Sequence, residues 1–163
     1  LPGASQTMSP APMAPLASEF GLSFGNGYLY NMYENDNNYR SVYATPPPSS
    51  NLSGELDRVT VREGTPVYGG QTILTVSDRT TLSTTREKAA YTLAARSGNV
   101  MAVGDTSFLT ETGYQDTDNE EMAAHLIDFL VAGEKAPGVP KEPTPPEMSG
   151  PSNGSEQPHR PAP

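Results

Sequence analysis

Nine of the seventeen prolines fall in residues 135–163 and four more in residues 1–18, so only the stretch between them is free to build regular structure. Proline fixes φ and donates no backbone hydrogen bond, which excludes it from helix interiors and central strands. The end from Lys135 to Pro163 combines its prolines with Gly, Ser and Glu and has almost no branched apolar side chains. Such a segment lacks the apolar area to offset its ordering entropy, and is predicted to be a disordered acidic tail serving as stalk or linker. Residues 1–18 (LPGASQTMSPAPMAPLAS) carry no periodic apolar face and read as an extended lead-in. Residues 19–134 are left as one domain of ordinary size.

Within that span the patterns are mostly those of strands. Gly25-Asn26-Gly27 is a turn signal between short apolar and aromatic runs, and Arg40–Ala44 alternates as a strand. Residues 45–54 (TPPPSSNLSG) must be a loop. Asp57–Arg62 sets Val59 and Val61 against Arg58, Thr60 and Arg62, which predicts a strand with one wet face. Gly69-Gly70 is a turn before the β-branched run Gln71–Val76. Tyr91–Ala95, a turn at Ser97-Gly98 and Asn99–Val103 form a predicted hairpin, its second arm apolar on both faces and hence expected to be a buried central strand. After a polar loop over Asp105–Thr117 comes the one clear helix, with Asp118 as N-cap, Glu121 completing a capping box, Met122, Leu126, Phe129 and Leu130 at helical spacing, and Gly133 as the stop. The pattern predicts an α/β fold, with α+β as the alternative: β-hairpins plus one C-terminal helix.

Charge and composition remove several functions. A net charge of −9 and a pI near 4.6 oppose nucleic acid or anionic lipid as partner, since both are bound by lysine and arginine displacing counterions. There is no Cys, which excludes thiol nucleophiles, thiolate-held metals and disulfides, and the two His are too few for a multi-histidine metal site. No cofactor or metal is expected. No apolar run reaches the ~20 residues that a membrane-crossing helix needs. Leu1, with no basic and apolar leader after it, reads as the start of a processed product or fragment.

Few residues remain as candidates for chemistry. A Gly followed by polar side chains at the end of a strand is where α/β folds gather ligand groups, which singles out Asp105, Thr106 and Ser107, with Asp118 and Asn119 at the helix start. The competing reading is that Asp105 and Ser107 satisfy backbone groups and tie their loop to the helix start. Ser107 lacks the flanking glycines of a nucleophile elbow, and the only His inside the domain is His125. Asp116, Asp118, Glu120 and Glu121 lack the central Gly and distant Glu of a calcium loop and read as first-turn acids. Tyr28, Tyr30, Tyr33, Tyr39 and Tyr43 cluster beside Asn-rich sequence, a mixture suited to contact surfaces because tyrosine adds amphipathic area at low rotamer cost. Asn51-Leu52-Ser53 and Asn153-Gly154-Ser155 match the N-glycosylation pattern.

Three blocks also carry a family likeness: Leu16–Phe24 with Tyr28-Leu29-Tyr30; Asn37–Tyr43; and Ser97–Thr110 with Asp118-Asn119-Glu120 and Asp128-Phe129-Leu130. Together they resemble haloarchaeal proteins carrying domain-of-unknown-function 4350. The resemblance implies a partial class I glutamine amidotransferase-like, flavodoxin-like sheet, missing an upstream strand–helix half. It implies the fold without the activity, because the amidotransferase nucleophile is a Cys, and Asp105–Leu109 stands about where that family's His and Glu would fall. The function expected is a non-catalytic binding or structural module on or outside an archaeal-type cell, taking a protein or glycan. The alternatives are a hydrolase-like enzyme using Asp105, Ser107 and His125, and a fragment of a larger assembly.

Overall fold

The structure, a computed structural model, describes residues 13–132. The expected tail over residues 135–163, the helix stop at Gly133 and the second glycosylation pattern at Asn153 lie outside the described residues. Short segments open the fold: helix α1 (Ala14–Ser18), then strands β1 (Ser23–Phe24) and β2 (Leu29–Tyr30). The lead-in therefore ends in a helical turn, because Ala17 is buried against Leu22, Val67, Ala95 and Ala102. Strands β1 and β2 flank the Gly25-Asn26-Gly27 turn but do not pair with each other. β1 pairs with β5 (Val67–Tyr68), and β2 with β7 (Thr81–Leu82).

The main sheet has five strands in the order β4-β3-β6-β8-β9, formed by β3 (Ser41–Thr45), β4 (Val59–Arg62), β6 (Gln71–Val76), β8 (Thr92–Ser97) and β9 (Val100–Val103). Every strand pair is antiparallel. The architecture is α+β, mostly sheet with one long helix, α2 (Asn119–Ala132). The expected flavodoxin-like sheet is thereby corrected for these residues: parallel strands need long crossovers, and here β8 and β9 are joined through Gly98-Asn99 alone, with Gly98 at φ +58°. The β6–β8 ladder shifts register around Leu74, a bulge that bends this part of the sheet.

Three local expectations are corrected as well. β9 is an edge strand, while its neighbour β8 is covered on both faces: Leu93 and Ala94 enter the main core and Ala95 joins the smaller cluster around Val67. The polar stretch after Gly104 contains a 3₁₀ turn (Ser107–Leu109) that drives Phe108 into the main core. On α2, Met122 is buried and Leu126 and Phe129 are half-buried, but Leu130 is 73% exposed, as are Ile127 and Val131 at 61% and 79%. The inward stripe thus ends at Phe129, one position before its spacing predicts.

Candidate functional site

The predicted site residues converge on the outer edge of β4. In the β3–β4 ladder, Glu63 donates its N–H to the Arg40 carbonyl, and the register then turns the backbone groups of Arg58, Thr60 and Arg62 away from β3. Unpaired edge groups like these are normally left to water or to another chain. Here each N–H has a side-chain partner. Arg58 donates to Asp118 Oδ2 at 3.0 Å, and Asp57 donates to the same oxygen at 2.6 Å. Thr60 donates to Asn119 Oδ1 at 2.8 Å. Arg62 donates to Asp105 Oδ2 at 3.2 Å and to Ser107 Oγ at 3.1 Å.

The carbonyls of Arg58 and Thr60 are matched in the same way. Asn119 Nδ2 donates to Thr60 O at 3.1 Å and to Gly113 O at 2.6 Å, and Asp118 N–H donates to Arg58 O at 3.1 Å. The Asn119 side-chain amide, 1% exposed, thus stands where the peptide group of a sixth strand would be. The wet face expected for the strand holds at Arg58 and Arg62, which are exposed, but not at Thr60, which is only 1% exposed and pairs its hydroxyl with that of Thr117 at 3.1 Å. The Asp118 carboxylate is spent on the strand, and among the described residues it makes no capping bond to the first turn of α2.

The chemistry left to this group is small. Ser107 Oγ donates to Asp105 Oδ2 and accepts from Arg62, so both its hydrogen-bonding roles are filled, neither by a histidine. His125 pairs instead with Glu55, Nε2 to Oε2 at 3.1 Å. Thr106 is exposed and opens the 3₁₀ turn without a side-chain cap. Among the described residues no three His, Asp or Glu side chains gather as a metal site. Asp116, from the acidic run, forms an ion pair with Arg62 at 2.7 Å.

The tyrosines divide into two groups. Tyr30 pairs with both Tyr28 and Tyr39, with ring centroids 6.2 Å apart for the first pair and 6.1 Å for the second, which meets edge to face at 89°. Arg40 lies 4.8 Å from the Tyr28 ring and 5.5 Å from the Tyr39 ring, donates to Tyr39 Oη at 3.1 Å and to Glu63 Oε1 at 2.5 Å. The Glu63 carboxylate, then the Tyr39 hydroxyl, raise the Arg40 pKa above its ordinary value, so the patch keeps its cation at any pH the protein tolerates. Tyr33 stands apart on the same polar loop at 76% exposure, beside Met32 at 63%. Tyr43 lies beneath Arg58 at 4.7 Å.

Asn31 holds that loop in shape, and the sequence reading did not single it out. Its Oδ1 accepts from the N–H groups of Tyr33 and Glu34, and its Nδ2 donates to Ser77 and Thr80 hydroxyls at 3.2 and 3.3 Å. An Asn at a strand end before a polar run is the available signal, since its side chain closes Asx turns. A second unanticipated feature is a cavity of about 290 Å³ between α2 and the β8–β9 hairpin. Its apolar lining comes from Ile73, Met101, Met122 and Leu126, and Arg96, Asn51 and His125 contribute polar groups. No protein-family model, curated protein or solved structure matches the chain.

Proposed function

We propose that the chain is a non-catalytic binding module that docks a protein partner on the surface made by Tyr28, Tyr30, Tyr39 and Arg40, with Met32 and Tyr33 on the adjoining loop. The observation that carries this reading is the tyrosine–arginine cluster itself, in which Tyr39 is exposed and Tyr28, Tyr30 and Arg40 are half-buried, while the candidate catalytic groups are committed to the β4 edge. Tyrosine, methionine and arginine are the residue types enriched where proteins meet. A protein suits the cluster better than a glycan, because Arg40 lies over two of the rings and the Tyr30–Tyr39 pair is edge to face, so the three rings form no common flat platform. Display outside the cell belongs to the same proposal, and is supported by the exposed position of Asn51 in its glycosylation pattern. Kinship with the domain-of-unknown-function 4350 proteins rests on the sequence blocks alone, and the antiparallel order of the strands weighs against an amidotransferase-like sheet.

Two measurements test this. A partner captured by the wild-type chain is expected to bind the Tyr39→Ala, Arg40→Ala double variant at least tenfold more weakly, with little change in melting temperature. Undiminished binding would move the interface elsewhere. Ser107→Ala is expected to lower stability by about 1 kcal/mol, the scale of one lost hydrogen bond, without changing partner affinity. Ester or amide hydrolysis by the wild type that Ser107→Ala abolishes would replace the binding reading with the hydrolase one.

A further inference from the structure

The geometry points to a small-ligand site in the cavity between α2 and the β8–β9 hairpin, built for a compact molecule with an apolar body and a carboxylate at one end. The space, about 290 Å³ and partly open to solvent on the side of the exposed Arg96, sits near the lower end of the range for ligand pockets. At about 30 Å³ per atom, water's share of liquid volume, it holds roughly ten non-hydrogen atoms. Two of its apolar side chains are Met101 and Met122, whose unbranched thioethers adapt to differently shaped guests.

Arg96 supplies the polar end. Its guanidinium lies 4.9 Å from the centroid of the Phe129 ring, and its Nε donates to the Gly98 carbonyl at 2.7 Å. Held on one face and one nitrogen, the group keeps its outer pair of Nη atoms for an incoming acceptor, the planar fork that carboxylates match with two parallel hydrogen bonds. No other protein group claims it, since among the described residues Arg96 has no ion-pair partner. The acids nearby do not alter this. Glu55 is paired with His125, and Asp128, which also lines the cavity, makes no ion pair with Arg96. In a chain of net charge −9, a fixed guanidinium without a counterion beside an apolar cavity is a selective point for an anion.

Octanoate, with ten non-hydrogen atoms, is the probe. Titrated into the full chain and followed by amide NMR, it is expected to bind saturably and to shift residues 96–101 and 122–129. Arg96→Gln is expected to weaken binding about tenfold to a hundredfold, the consequence of losing charged hydrogen-bond donors. Octan-1-ol, of the same length without the charge, is expected to bind the wild type at least tenfold more weakly than octanoate does. The site is overturned if octanoate shifts neither segment, if its shifts fall on the Tyr28–Arg40 surface instead, or if Arg96→Gln or the alcohol binds as tightly as the wild-type octanoate pair. None of these outcomes depends on the protein-docking reading.

Discussion

Replacing Asn119 by Ala is expected to lower the unfolding free energy by about 3–5 kcal/mol, a large share of the ~5–15 kcal/mol that holds a typical domain together. Truncation removes one acceptor and two donor contacts at once, leaving the Thr60 N–H and the Thr60 carbonyl without partners and the Gly113 carbonyl with the Asp116 N–H alone. Each orphaned buried group costs about 1–3 kcal/mol, and the losses overlap because they share one cavity. At ~4 °C per kcal/mol, the melting temperature should fall by roughly 15 °C. Asn119→Asp separates hydrogen bonding from volume, for it keeps the acceptor toward Thr60 but turns an oxygen toward two carbonyls. It should be at least as destabilised as the alanine variant, particularly at neutral pH where the carboxylate is charged. A loss below ~1 kcal/mol for Asn119→Ala, measured by denaturant titration, would mean that the helix start does not hold the strand.

The second large effect is expected at Gly104. A Cβ built there would lie 1.9 Å from the Thr65 carbonyl oxygen, a backbone atom that cannot swing aside as a side-chain tip does. The same residue takes the Thr65 N–H on its carbonyl at 2.9 Å and gives its own N–H to Leu93 at 2.8 Å, so the strand crossing here is tied on both sides. Gly104→Ala must spread that crossing and break the first of these bonds, with an expected loss of about 3 kcal/mol, at the upper end of what overpacking usually costs. Amide exchange should speed up first at Thr65 and Gly104. Wild-type stability in this variant would show that the crossing can open without loss.

These two residues show what was legible in the sequence. Period-two alternation located β3 and β4, a β-branched run located β6, and the Gly98 turn located the hairpin, because local chemistry decides such features. The same local logic marked Gly104 only as the residue before a polar run, and could not show that the chain at Thr65 lies against it and demands a glycine. Asp105, Ser107, Asp118 and Asn119 were selectable as polar residues at element ends, but their common target, β4, lies more than forty positions away from each in sequence. The register that turns Arg58, Thr60 and Arg62 outward is a tertiary fact, and so is strand order, which makes β9 an edge although its composition suits a center. Arg96 was unreadable as a binding group for a related reason: its importance comes from Phe129, on another element, and from a turn carbonyl that fixes one of its nitrogens.

The two margins of the sheet are not alike. Along β9 the register leaves the N–H and C=O groups of Met101 and Val103 pointing away from β8, and among the described residues they have no hydrogen-bond partner. An extended segment can therefore be added there and nowhere on the opposite side, where β4 is already occupied. Two copies joined rim to rim would use up each other's one vacancy, and a third would find no place to attach. By this asymmetry any rim-to-rim pairing through the five-stranded sheet would close at two copies instead of extending, although β9 carries neither a charged residue nor a proline.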